Sequence, residues 1–80
     1  MNELNRFLEL ISYELEDVSI EDLSPAIDIK KLDQWNSINA VFILNMISEH
    51  YKIEISFEQL KATHSIEELF KLIQKNQKQS

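Results

Sequence analysis

An all-α fold is what this chain predicts, and three features of its 80 residues carry that prediction. Glycine is absent and proline occurs once, so the positive-φ residues that tight β-hairpins demand are missing. Strand-like alternation is confined to Tyr51-Lys52-Ile53-Glu54-Ile55, which is too short and too isolated to build a sheet. Apolar residues recur instead at helical spacing, behind Asn or Ser residues suited to start helices. The expected architecture is a four-helix bundle: three main helices, one short helix, and a long ordered loop between the first two.

Helix 1 is read over residues 3–16. Leu4, Phe7, Leu8, Ile11, Leu15 and Val18 form one apolar stripe, while Glu3, Arg6, Glu9, Glu14 and Glu16 fall mostly off it. Asn2 is placed to cap its start. From Asp17 to Gln34 the period breaks at Ser19, Asp22, Ser24, Pro25, Asp28 and Asp33. Ile20, Leu23, Ile27, Ile29 and Leu32 recur too often for a disordered linker, so this loop is expected to dock its apolar residues on the helices. Within it, Ser19-Ile20-Glu21-Asp22 has the makings of one helical turn.

Helix 2 begins in Asp33-Gln34-Trp35-Asn36-Ser37-Ile38, with Asn36 as N-cap, and runs to about Tyr51. Ala40, Ile43, Leu44, Ile47 and Tyr51 form its core stripe. At 100° per residue the opposite side carries Ile38, Val41, Phe42, Asn45 and Glu49. A helix apolar on two faces is either central in a bundle or presents one face to a partner. Two capping boxes follow. Ser56-Phe57-Glu58-Gln59 opens a short helix over 57–62, and Ser65-Ile66-Glu67-Glu68 opens the last, with Ile66, Leu69, Phe70 and Ile73 as its stripe. The polar stretch from Gln74 is expected to fray, so the domain is bounded at residues 1–75 and 76–80 are set aside as a tail.

Composition narrows the function. Residues 1–40 hold nine acids against three bases, and residues 41–80 five of each, for a net charge of −6. Nucleic-acid binding, which needs Lys and Arg against phosphates, is not expected from such a chain; basic protein partners fit better. Cysteine is absent, excluding disulfides and thiolate metal sites. The longest unbroken apolar run, Ala40–Leu44, is far short of the ~20 residues a membrane span needs. Met1-Asn2-Glu3-Leu4 does not lead from a basic region into an apolar one. No secretory signal is read, and a cytoplasmic, monomeric protein is expected.

Catalytic chemistry is not expected either. His50 and His64, the two histidines, match no metal-ligand spacing. Ser37, His64 and Asp33 form a triad only on paper, without a glycine for an oxyanion loop. Ser37 has a different merit. As the first residue of helix 2, its hydroxyl lies near backbone N–H groups that lack intrahelical partners. A phosphate esterified there is favoured by the helix's positive end by roughly 0.3–1 kcal/mol. Nothing nearby activates the hydroxyl, so another enzyme has to modify it. The plain alternative is that Ser37 is merely a good helix-starting residue.

Trp35-Asn36-Ser37-Ile38, the long apolar helix, Glu49-His50-Tyr51-Lys52-Ile53-Glu54-Ile55 and the two capped helices together resemble the acyl carrier protein family. Leu60, Ile66 and Ile73 fall where later core positions of that family are expected, and the resemblance covers residues 3–73 without a gap. It implies a helical bundle of acyl-carrier type and no enzymatic activity. Ser37 is then the attachment point of phosphopantetheine from coenzyme A, flanked by Trp35, Asn36 and Ile38, with an acyl, aminoacyl or peptidyl cargo held as a thioester. The implied partners are a phosphopantetheinyl transferase, a loading ligase or acyltransferase, and downstream pathway enzymes. Ile38, Val41, Phe42, Asn45 and Glu49 are the docking surface; the other account of the apolar pair Ile38 and Phe42 is cover by the long loop or by a second copy. Trp35 reads first as an anchor pinning the loop's end to the bundle, and second as a contact for the modifying enzyme or the cargo.

The chain also departs from the family pattern. Asn36 stands for the family's Asp, Ile38 for its Leu, and Asn39, Phe42 and Ser48 occupy helix 2 positions often acidic in fatty-acid carriers. These differences point to a specialised pathway, with an unmodified, carrier-like interaction module as the alternative.

Overall fold

The computed structural model describes residues 3–15, 18–33 and 35–79, with side chains as far as Gln77. Among these residues there are four α-helices and no strand: α1 (Glu3–Glu14), α2 (Ser37–Tyr51), α3 (Phe57–Ala62) and α4 (Ile66–Gln79). The loop between α1 and α2 contains two single 3₁₀ turns, Ile20–Asp22 and Ile29–Lys31. The expected all-α class, with three longer helices, one short one and an ordered first loop, is therefore the observed one. The cap read for Asn2, together with Glu16, Asp17, Gln34 and Ser80, lies outside the described residues.

Phe7, Ile11, Ile43, Ile47, Leu69 and Ile73 lie at the centre of the core, fully or almost fully shielded from water. α1 packs on both α2 and α4, which explains a buried arc wider than the predicted stripe. Leu10 and Met46, outside the stripes read from the sequence, are buried, while Leu4, Leu44 and Tyr51 are only partly so. A helix with neighbours on two sides buries more than the single stripe that periodicity picks out. Phe7 stacks on Phe70 at 5.4 Å between ring centroids, and Tyr51 meets both rings edge-on.

The ends of the elements show how the chain turns without glycine. α1 ends at Glu14, although the Leu15 N–H still donates to the Ile11 carbonyl at 3.1 Å. α2 closes on Lys52 in the left-handed region (φ 58°, ψ 36°), where the N–H donates to the Ser48 carbonyl. That conformation costs a residue with a Cβ ~1–2 kcal/mol, and glycine is its usual occupant. Beyond it, exposed Glu54 separates half-buried Ile53 from buried Ile55, so the alternation in the sequence is an extended connector. The Ser56 box is complete: Ser56 Oγ accepts from Gln59 N at 3.1 Å and Gln59 Oε1 accepts from Ser56 N at 2.9 Å. The second box is displaced by one residue. Ser65 Oγ accepts from Glu68 N as expected, but Glu68 Oε1 takes the N–H of His64. α4 continues to Gln79, into the stretch where the sequence predicts a frayed tail; Gln and Lys are good helix formers.

The long loop is tied down by its backbone as well as by its apolar residues. Leu23 and Ile29 are buried and Ile27, Leu32 and Trp35 are packed against the core. The Ile27 carbonyl accepts from Ile66 N at 2.8 Å and the Pro25 carbonyl from Glu67 N at 2.9 Å. Two N–H groups in the first turn of α4, which have no partner within their own helix, thus find one in the loop. The turn read at Ser19–Asp22 is present, with Asp22 N donating to the Ser19 carbonyl at 3.0 Å and the Ser19 hydroxyl to the Asp22 carboxylate at 3.2 Å.

Candidate functional site

The start of α2 assembles from residues adjacent in sequence. Asn36 is extended (φ −156°, ψ 177°), and its side-chain Oδ1 accepts from Asn39 N at 2.8 Å. Its carbonyl accepts from Ala40 N at 3.1 Å, so Asn36 caps the helix through both backbone and side chain. Ser37 is therefore left as the exposed first helical residue, its hydroxyl not needed for the cap. No acidic residue occupies the first turn of α2, so an anion on Ser37 meets the helix's positive end without a carboxylate beside it on that turn. Trp35 is half-buried against the core, and its backbone N–H donates to the Leu32 carbonyl at 3.0 Å. The indole anchors the loop immediately before the serine.

The opposite side of α2 faces solvent. Ile38, Val41 and Phe42 are 64%, 51% and 45% exposed, and Asn45 and Glu49 are exposed along the same side. The long loop docks elsewhere and does not cover them. From Ser37 to Ser48 this helix has no charged side chain, so it contributes no acid to its own exposed face before Glu49. Alongside it, Leu44, Asn45 and Ser48 face Glu54, Ile55 and Gln59 across an open groove of about 380 Å³. Its lining mixes polar and apolar groups.

The remaining candidates are scattered. His50 is exposed near the end of α2, and His64 is exposed in the break between α3 and α4. No cluster of potential metal ligands occurs among the described residues. Sequence reasoning missed a recess bounded by Glu3, Arg6, Tyr51, Phe70 and Gln77, where α1, α2 and α4 meet. There burial pushes the Tyr51 hydroxyl above its ordinary value; the Arg6 guanidinium opposes the shift and the Glu3 carboxylate adds to it. The aromatic residues Phe7, Tyr51 and Phe70 on three core stripes were the signal that hinted at this corner. No helix among the described residues is long and apolar enough to cross a membrane.

Compared with known proteins, the chain matches no family model, no curated protein and no solved structure. The functional reading therefore rests on this chain's own residues and on the pattern in its sequence.

Proposed function

We propose that this chain is an acyl or aminoacyl carrier protein of a specialised pathway, with a bundle of acyl-carrier type and phosphopantetheine carried on Ser37. The observation that carries the reading is an exposed serine at the first position of α2, free of capping duty because Asn36 performs it. A phosphodiester fits that position: the helix end is positive, the first turn has no acid, and solvent reaches the side chain. When attached, the group supplies a thiol that holds cargo as a thioester. This chain's residues contribute the acceptor hydroxyl, its presentation and a surface for partners; they supply no base, so a phosphopantetheinyl transferase removes the Ser37 proton. In that step a phosphoanhydride bond of coenzyme A breaks, the Ser37 ester forms, and the adenosine bisphosphate leaves.

Ile38, Val41, Phe42, Asn45 and Glu49 serve as the docking face for the transferase, the loading ligase or acyltransferase, and the downstream enzymes. A cytoplasmic monomer is the form that goes with this role. The second reading, an unmodified carrier-like interaction module, is favoured by one observation: Asn36 keeps the cap without the negative charge of an Asp. Coexpression with a broad-specificity phosphopantetheinyl transferase discriminates the two. The intact mass rises by one arm in the wild type and not in Ser37→Ala. A wild type left unmodified refutes the carrier reading.

A further inference from the structure

We infer that Lys30 is a latch joining the long loop and α3 into one unit that opens and closes together. α3 has six residues, far below the ~12–15 at which an isolated helix is even marginal, and it buries Leu60 alone. Its Phe57 is 42% exposed, with the Lys61 ammonium 5.4 Å from the ring centroid. The helix therefore depends on what holds its ends. At the N-terminal end the Ser56–Gln59 box does so locally. At the C-terminal end the Leu60 carbonyl accepts from both the N–H and the hydroxyl of Thr63. The Lys61 carbonyl accepts instead from Lys30 Nζ at 2.7 Å, a donor 31 residues earlier in the chain.

Lys30 is built into this position. Asp28 Oδ1 accepts from Lys30 N at 3.0 Å, and Asp28 Oδ2 lies 3.7 Å from Lys30 Nζ, with side chains only 10% and 20% exposed. The carboxylate thus orders the turn that carries the lysine and neutralises its charge. The same stretch of loop presents the Pro25 and Ile27 carbonyls to the first N–H groups of α4. A cation meets the negative end of α3 and two carbonyls meet the positive end of α4, each with the favourable polarity. α3 cannot move away without breaking the Lys30–Lys61 hydrogen bond and leaving the ammonium with Asp28 alone, and the loop cannot lift without also uncovering two amides of α4. Residues 25–30, α3 and the 63–67 junction form one opening unit in the sense of local unfolding. Gln59 of this unit lines the groove beside α2, so opening the unit removes that part of the groove's wall.

Amide hydrogen exchange on the full, unmodified chain tests the latch independently of Ser37. In Lys30→Met, which keeps the aliphatic stem, the amides of Thr63, Ile66 and Glu67 should exchange faster together. The expected factor is roughly ten to a hundred, the scale of one charge-assisted hydrogen bond. Amides of the α1–α2 core, such as Ile11 and Ile47, should change much less, and Lys30→Arg should stay near the wild type. If Lys30→Met does not fold, Asp28→Asn carries the test, with a smaller acceleration of the same amides. Acceleration of Thr63 alone, uniform acceleration of all amides, or no change would each overturn the proposal.

Discussion

Phe42 and Ile43 are adjacent in sequence and apolar, yet the fold treats them oppositely, and exchanging each for alanine measures that difference. Ile43 is 0% exposed and sits at the centre of the core. Truncating such a side chain costs about 2–5 kcal/mol, from lost transfer energy and the cavity left behind. An 80-residue domain has ~4–12 kcal/mol of stability in total, so this is a large fraction of it. With 1 kcal/mol worth roughly 4–8 °C at this size, a mid-range loss of about 3 kcal/mol lowers Tm by roughly 12–24 °C. Phe42 is 45% exposed. Full burial of a Phe side chain is worth at most ~3 kcal/mol, so its half-burial contributes about 1–1.5 kcal/mol. Alanine's better helix propensity returns ~0.5 kcal/mol of that, and the net loss is below about 1 kcal/mol. Thermal unfolding followed by circular dichroism separates the two outcomes. If Phe42→Ala destabilises as much as Ile43→Ala, Phe42 belongs to the core and the docking face has been misassigned. If the face is right, Phe42→Glu leaves the domain folded and slows modification of Ser37 by roughly tenfold, the loss typical of a central interface residue.

Asn36 and Tyr51 provide the other tests. Asn36→Ala removes the side-chain acceptor for Asn39 N and should cost about 1 kcal/mol, read as a fall in Tm. Asn36→Asp keeps the cap and adds a negative charge; under the carrier reading it accelerates Ser37 modification in a mass-spectrometric time course, and an unchanged rate means the charge is not used. Tyr51 holds its proton more tightly folded than unfolded, because burial raises its pKa above the ordinary 10.0. Its contribution to stability is therefore complete below about pH 10 and is lost as pH rises through the folded-state value. Melting curves taken between about pH 8 and pH 11 should fall more steeply for the wild type than for Tyr51→Phe. Parallel curves would mean that the hydroxyl is not shifted.

The helices were legible because the signals that start and stop them are local. A stripe such as Phe7, Leu8 and Ile11 spans one turn, and the pairs Asn36–Asn39 and Ser56–Gln59 span three residues. The candidate site was legible for the same reason: Trp35, Asn36, Ser37 and Ile38 are neighbours in the chain before folding brings anything together. The core stripe of α2 and the side opposite it followed from 100° periodicity, but whether the long loop covers Ile38 and Phe42 did not. Ile38 and Phe42 are no less apolar than Leu44, and only the positions of α1 and α4 leave the first two in solvent.

By itself, then, the chain determined an all-helical class, the approximate bounds of four helices, and a serine at the head of the second. These are properties of residues within four positions of one another, where spacing and capping chemistry act directly. The tertiary structure alone decided how the long loop docks and that Tyr51 closes an aromatic corner with Phe7 and Phe70. It also decided that Lys30 meets the end of α3 and that Ile27 and Pro25 receive the first amides of α4. Those contacts join residues tens of positions apart through single side chains and backbone carbonyls, which leave no period or motif in a sequence. They exist only once the core has brought the loop and the last two helices together.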